Sequence, residues 1–306
     1  MSAADWAPRA TPELLARRAA LRQGIRAHFA GNALEVEVPI LQGGPNRDHG
    51  VAVARSGDHY LTTSPEHPLK RLVSAGYGSV WCFHPCLRPG ESGRLHRPAF
   101  TMLEWYRPGW SLAALRDECV QLIAGALGRP LELQVLSWQQ AMALVCGAPP
   151  DELSLAALAA CCPDAPPDCS RAEFYDLIFA SRVQPQLGHG GISAVEEWPA
   201  SACAQARIAA NAQGQPVALR CELFVDGVEL VNAYDECWNA DELRQRFSAH
   251  AEELGERAVH DERFLACLAH NPGPVSGAAL GFDRLVALAC GCNDIGDTMA
   301  FPWEIA

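Results

Sequence analysis

Arg88-Pro-Gly-Glu-Ser-Gly-Arg94-Leu-His96-Arg97-Pro-Ala-Phe100-Thr-Met-Leu-Glu-Trp-Tyr106 is the stretch on which the reading of this chain turns. Its first half places Arg88, Arg94, His96 and Arg97 in a loop with two glycines, between strands, and such a loop suits a polyphosphate. Neither a Gly-x-x-x-x-Gly-Lys run nor a Gly-x-Gly-x-x-Gly run after a strand is present, so the two common nucleotide folds do not fit. Its second half, Phe100 to Tyr106, is apolar and strand-like, and a further strand is predicted just upstream at Ser79 to Phe83.

Upstream of these strands, Thr11 caps a helix predicted to run to Phe29, with Pro12 in its first position and Glu13 in its first turn. Leu34-Glu-Val-Glu-Val38 then alternates apolar and acidic residues as a half-exposed strand does, and Pro39 ends it. Residues 41 to 60 read as a loop leading to a short strand at Tyr60 to Thr62, and Ser64-Pro65-Glu66 opens a helix through Ser74.

Downstream, a helix is predicted from Ser111 to Leu127. Residues 146 to 170 turn Ala-, Pro- and Asp-rich, with Pro149-Pro150 and Pro166-Pro167 around a short helix, and read as an insertion rather than a domain. A helix near Ala172 to Arg182 and a glycine bend at Gly188 to Gly191 follow. Asp226-Gly227 then separates two alternating runs, Arg220 to Tyr234, as the positive φ angles of a type I′ hairpin require. That register pairs Val225 with Val228, Phe224 with Glu229 and Glu222 with Val231, which puts Glu222 and Glu229 on one face, close enough for one divalent ion. Spacing alone leaves open that both simply face solvent. Finally, Gly277-Ala-Ala-Leu-Gly281-Phe-Asp283-Arg284 runs from a strand into a helix, with Arg284 in that helix's first turn.

Composition narrows the classes. The chain has 306 residues, and 24 basic against 36 acidic side chains give a net charge of −12, which argues against a nucleic-acid-coating surface. A 49% hydrophobic content argues against disorder. No apolar run approaches the roughly 18 residues of a membrane span, and Met1 to Pro12 carries no export signal, so a cytoplasmic protein without membrane association is expected. The 13 cysteines are scattered without zinc-finger pairs and read as buried thiols. All basic residues but one are arginine, the exception being Lys70; GC-rich coding is one sufficient cause.

Taken together, these motifs resemble those of the class II aminoacyl-tRNA synthetases, on their lysyl branch. The first helix, its strand and Pro39 are similar to motif 1, Arg88 to Tyr106 to motif 2, and Gly277 to Leu288 to motif 3, with Glu222 and Glu229-Leu230-Val-Asn232 between them. The resemblance spans almost the whole chain. It implies an α+β fold, a mostly antiparallel sheet flanked by helices, as a single catalytic domain over 1–306. Motif 1 implies a homodimer. Only about ten residues precede the first helix, so the OB-fold anticodon-binding domain of that branch is expected to be absent and tRNA not to be a substrate. Thr101 to Pro108 is similar to the branch's truncated bacterial paralogues, which use ATP to attach lysine, preferably (R)-β-lysine, to a lysine of elongation factor P.

Carried over residue by residue, the resemblance implies these roles. Arg88 meets the α-phosphate and the substrate carboxylate, and Arg284 the γ-phosphate. Pro89, Gly90, His96, Arg97, Phe100, Glu229, Leu230 and Gly281 line the ATP site, with Phe100 against adenine. Glu222 and Glu229 hold magnesium. Ser64, Pro65, Glu66, Tyr106, Asn232 and Glu236 surround the amino acid, Glu236 receiving its side-chain ammonium with Tyr106 as hydroxyl partner. By residue type alone, Phe100 also suits a core strand and each glutamate a solvated surface. The chain departs from the pattern at Pro89-Gly90 in place of Asn-Glu, at Arg97 and Ala99, and at Ala279, whose methyl replaces the middle glycine of motif 3.

Overall fold

The computed structural model describes residues 6–46, 50–166 and 168–306. Residues 1–5 of the amino-terminal reading, 47–49 of the 41–60 loop and Pro167 of the second proline pair lie outside the described residues. The chain forms two compact units, Met1–Arg129 with Asp235–Ala306, and Pro130–Tyr234.

In the first unit the strand Ala99–Pro108 pairs antiparallel with Val80–Leu87 on one side and with Val275–Gly281 on the other. Side chains alternate along it, so Leu103, Trp105 and Arg107 take one face and Phe100, Met102, Glu104 and Tyr106 the other. Two helices cover the first face. On Leu112–Leu127, Glu118 accepts from both Trp105 Nε1 and Arg107 Nε at 3.0 Å, which satisfies polar atoms that burial would otherwise penalise. On Pro12–Phe29, Phe29 stacks on Trp81 with ring centres 4.7 Å apart. Thr11 Oγ1 accepts the Leu14 N–H at 3.3 Å, so the helix starts where the cap predicts. The same helix sends Arg18 to Asp283 at 2.5 Å, and Asp283 also accepts the Thr101 N–H at 2.6 Å. Helix, central strand and Phe282–Cys290 are thereby locked together just before Arg284.

Two strands differ in length from the sequence reading. Only Leu34–Glu35 of the stretch 34–38 forms a ladder, parallel to Val80–Trp81, with one further bond from Val36 N–H to the Trp81 carbonyl at 2.9 Å. The strand expected at 79–83 runs instead from Val80 to Leu87, through Pro85. The outer side of that strand has no ladder beyond Trp81 among the described residues, so a proline without an N–H costs no sheet bond there.

The second unit holds Leu133–Ser137 parallel to Ile192–Glu196, which pairs antiparallel with Arg220–Val225, itself joined by the hairpin to Val228–Asp235. Trp138, Phe174, Phe179, Trp198 and Phe224 fill its core. The Ala/Pro-rich stretch contributes the helix Leu155–Cys161, capped by Ser154 and anchored in that core through Leu158. The helix read near 172–182 is Arg171–Ile178, followed by a wider turn at Phe179–Val183. In the glycine bend a Cβ on Gly188 would overlap the backbone of Phe224 and Val225, so glycine is required there.

Asp226 and Gly227 take φ of 49° and 74°, as the turn demands. The hairpin register holds for the first two pairs and then shifts. A bulge between Leu223 and Phe224 moves Leu223 opposite Val231 and Glu222 opposite Asn232, where unbroken alternation predicts Val231. Glu222 and Glu229 still share a face, because Phe224 is opposite Glu229 and lies two residues from Glu222. Both units are helices packed on mostly antiparallel strands, the expected α+β arrangement. Among the described residues no helix is long and apolar enough to cross a membrane.

Candidate active site

The opposite face of Ala99–Pro108 carries the chemistry of the first unit. Glu104 and Tyr106 project from it, both buried. The Tyr106 hydroxyl donates to Glu104 Oε1 at 2.8 Å and Ser64 Oγ donates to Glu104 Oε2 at 2.6 Å. Ser64 in turn accepts the Glu66 N–H at 3.1 Å, at the start of Glu66–Ser74, whose N-cap is Pro65. One turn along that helix is Lys70, with Nζ 2.6 Å from Glu66 Oε1 and 2.5 Å from Glu236 Oε2. Glu236 is held at the end of Val275–Gly281 by its own N–H, which donates to the Val275 carbonyl at 2.9 Å. Thus Ser64, Pro65, Glu66, Tyr106 and Glu236, scattered over 173 positions from first to last, converge on one buried polar cluster. The tyrosine's hydroxyl partner is Glu104, however, and not Glu236 as expected.

Burial and mutual repulsion govern this cluster. Desolvation, then the neighbouring Glu66 charge, pushes the Glu104 carboxyl up to about 8. Desolvation likewise pushes Glu236 up to about 8, with Lys70 opposing it. Burial disfavours the Lys70 ammonium, but Glu236 and Glu66 outweigh it and hold the amine charged. Burial, then Glu104, keeps the Tyr106 phenol protonated. Three carboxylates against one ammonium leave a deep site short of positive charge.

Two positions of the motif 3 strand shape its wall. Gly277 pairs with Tyr106, and a Cβ there would fall 2.5 Å from Glu236 Oε1 and against the Tyr106 ring. Ala279 pairs with Glu104, so its methyl lies on the pocket face of its strand.

The other end of the same strand face carries Phe100. At roughly 3.3 Å per residue it stands about 20 Å from Tyr106, the length of an extended amino acid joined to a nucleotide. The Arg88 guanidinium lies 5.2 Å from the Phe100 ring centre, and its Nε donates to the Thr63 carbonyl at 3.3 Å, next to Ser64. Pro89 and Gly90 form a tight turn, with Gly90 at φ 84° and Glu91 3.7 Å from Arg88. Arg284 is braced by the Leu95 carbonyl at 3.2 Å and His96 Nε2 at 2.8 Å, and Gly281 caps its helix. Arg97 is buried, 2.6 Å from Asp294 and 2.9 Å from Glu304. Its charge is met within the protein, and it fixes the loop that Arg88 and His96 belong to.

In the second unit Glu222 is buried and ion-paired with Arg220, whose Nε also donates to Asn232 Oδ1 at 3.1 Å. Asn232 Nδ2 donates to the Tyr234 hydroxyl at 2.9 Å, and Leu230 is buried. Among the described residues no group of three or more His, Cys, Asp or Glu is arranged to hold a metal. The donor set here, two carboxylates from paired strands on one sheet face, fits magnesium, which keeps its waters and takes one or two carboxylates with substrate phosphates.

Sequence reasoning missed two members of the first cluster, Glu104 and Lys70. A signal existed for Glu104, since an acid in the apolar run Thr101-Met-Leu-Glu-Trp is an acid destined for burial. Lys70, noted in the sequence only as the sole lysine, stands one helical turn from Glu66, and the distant Glu236 completes its surroundings.

Residues 3–304 match the family model described as tRNA synthetases class II (D, K and N). Curated relatives named elongation factor P–(R)-β-lysine ligase include one from Hamiltonella defensa, 35% identical with 99% of each chain covered. Another is from Pseudoalteromonas translucida, 36% identical with 98% of each covered. A third, from Vibrio cholerae, is 34% identical over the whole of both chains.

Proposed function

The chain belongs to the class II tRNA synthetases of the D, K and N group, and from that premise we propose that it activates a lysine isomer, (R)-β-lysine by preference, and transfers it to a lysine of elongation factor P. ATP use comes with the family. The observation that carries the substrate assignment is the convergence of Glu66, Glu104 and Glu236 in one buried pocket, because excess buried carboxylate calls for cationic ligand groups.

In the first step a carboxylate oxygen of the diamine attacks the α-phosphorus of ATP and pyrophosphate leaves, giving a mixed anhydride. Arg88 neutralises the α-phosphate and orients the carboxylate, while Arg284, braced by His96, meets the γ-phosphate. Phe100, with Pro89, Gly90, Leu230 and Gly281, lines the nucleotide site. Arg97 fixes the loop. Glu222 and Glu229 are the proposed magnesium ligands; bound there, the ion supplies charge neutralisation for phosphate oxygens. Ser64, Pro65, Glu66, Tyr106, Asn232 and Glu236 line the amino-acid site, Glu236 taking the side-chain ammonium. In the second step the ε-amine of the acceptor lysine attacks the carbonyl, AMP leaves, an amide forms and a proton passes to water.

ATP–pyrophosphate exchange with (R)-β-lysine, α-lysine and norleucine, followed by the intact mass of elongation factor P, tests this reading. Exchange with a diamine, none with norleucine and a mass gain on the factor are expected. No exchange with either diamine overturns the reading, and tRNA charging in place of the mass gain reassigns the acceptor. A homodimer in the cytoplasm, acting without tRNA, completes the proposal, and light scattering at a dimer's mass checks the first part.

A further inference from the structure

Lys70 is the single lysine of a chain that otherwise places arginine at its basic positions, the buried Arg97 and Arg107 included. A compositional drift that exchanges lysine for arginine leaves lysine where arginine does not fit. The geometry shows why it does not. Nζ sits 2.6 Å from Glu66 and 2.5 Å from Glu236, with no exposed surface, 6.0 Å from the Tyr106 ring centre and 5.9 Å from that of Phe264. A compact ammonium fits between two carboxylates there. A planar guanidinium, longer and with its donors in a fixed fork, would push one of them toward Gly277, where even a Cβ overlaps Glu236 and Tyr106.

Of the two carboxylates that Lys70 grips, Glu236 is the one assigned to the substrate's side-chain ammonium and Glu66 lines the amino-acid site. The charge of Lys70 therefore belongs to the pocket and not to a surface helix. Three carboxyl groups face one internal ammonium, so two further cationic groups, as many as a diamino acid carries, complete the pairing. We propose that Lys70 is a built-in counter-ion of this pocket, a positioning residue that aims Glu66 and Glu236 and sets the site's charge to match a substrate with two ammonium groups. This rests on the function proposed above. It also assigns the enzyme's own lysine a state in which it accepts no acyl group, since an ammonium pinned between two carboxylates is no nucleophile.

Having one lysine makes the test direct. In protein grown with lysine labelled with ¹⁵N at Nζ, one side-chain ammonium signal reports Lys70 alone in the intact wild-type enzyme. Saturating (R)-β-lysine or α-lysine is expected to move that signal, because a substrate ammonium competes for the same carboxylate oxygens, whereas norleucine and ATP leave it in place. A signal unmoved by a diamine that supports pyrophosphate exchange overturns the inference alone. An equal shift with norleucine or ATP overturns it too. Absence of exchange with either diamine overturns the functional reading and this inference with it. Lys70→Arg keeps the charge and loses the shape, so KM for the diamine is expected to rise roughly tenfold or more while KM for ATP holds; wild-type diamine kinetics in that variant would overturn the positioning role. If the variant fails to fold, the wild-type spectrum decides.

Discussion

Two carboxylate clusters, each held by one basic side chain, sit in this protein, and they are neutralised in opposite ways. In the hairpin, Glu222 meets Arg220 two residues away on the same strand, and Glu229 follows across the turn. The counter-ion of Glu222 is local. In the pocket, Glu66, Glu104 and Glu236 come from a helix start, a central strand and a strand end; Glu66 and Glu236 share the ammonium of Lys70, and Glu104 accepts from Ser64 and Tyr106. Desolvation raises Glu104 and Glu236 to about 8, a sign that these charges wait for a partner. The contrast teaches that a buried acid is informative when cations nearby are too few, and less so when a neighbouring arginine accounts for it.

Four measurements test that contrast. Glu236→Gln removes the carboxylate assigned to the side-chain ammonium, so KM for the diamine should rise roughly a hundredfold with KM for ATP within about threefold. Comparable losses in both would merge the two ends of the strand into one site. Glu104→Gln keeps the shape and one acceptor oxygen, turns an NH2 toward the other of the Ser64 and Tyr106 hydroxyls, and drops a charge, and about a tenfold rise in diamine KM is expected; unchanged kinetics would return Glu104 to a purely structural role.

Glu229→Gln should act on the other cluster only, shifting half-saturating magnesium upward by about tenfold at constant diamine KM. A change in diamine KM at constant magnesium demand would show that the hairpin serves the amino acid. The smallest effect is on pH. Glu104 and Glu236 stand near 8 in the folded chain against an ordinary 4.5. Below pH 8 the empty pocket, with Glu66, Lys70 and Tyr106 around it, carries protons that an incoming dication must displace. KM for the diamine should therefore fall a few-fold as pH rises from about 6.5 to 8.5. By the same linkage the folded state binds more protons than the unfolded one between about 4.5 and 8, so stability without ligand declines across that window. A thermal midpoint that rises with pH there would reverse the sign of both shifts.

Local rules account for what was legible. The Thr11 and Ser111 caps start their helices where side-chain oxygens meet free N–H groups, and Asp226-Gly227 makes its turn because both accept positive φ. Motif spacing carried Arg88, Phe100 and Arg284 into one unit, where the structure gives each a specific brace. The strands Leu133–Ser137 and Ile192–Glu196 left no comparable mark, because parallel pairing joins residues about sixty positions apart without a turn signal. Nor did the bulge at Leu223, which depends on how two strands twist against each other.

The order of motifs, the excess of acids and the solitary lysine belong to the sequence by itself; the motifs implied a class II synthetase fold with a lysine-like substrate, and the acids argued against a nucleic-acid surface. Only tertiary structure decided that the solitary lysine stands inside the pocket. Residues 66 and 70 are one helical turn apart and fix half of its environment, but the other half is Glu236, brought in by a strand that pairs across the central sheet. Whether a lysine is a solvated tail or a pocket counter-ion depends on which charges lose water together, and that is a property of packing, not of spacing.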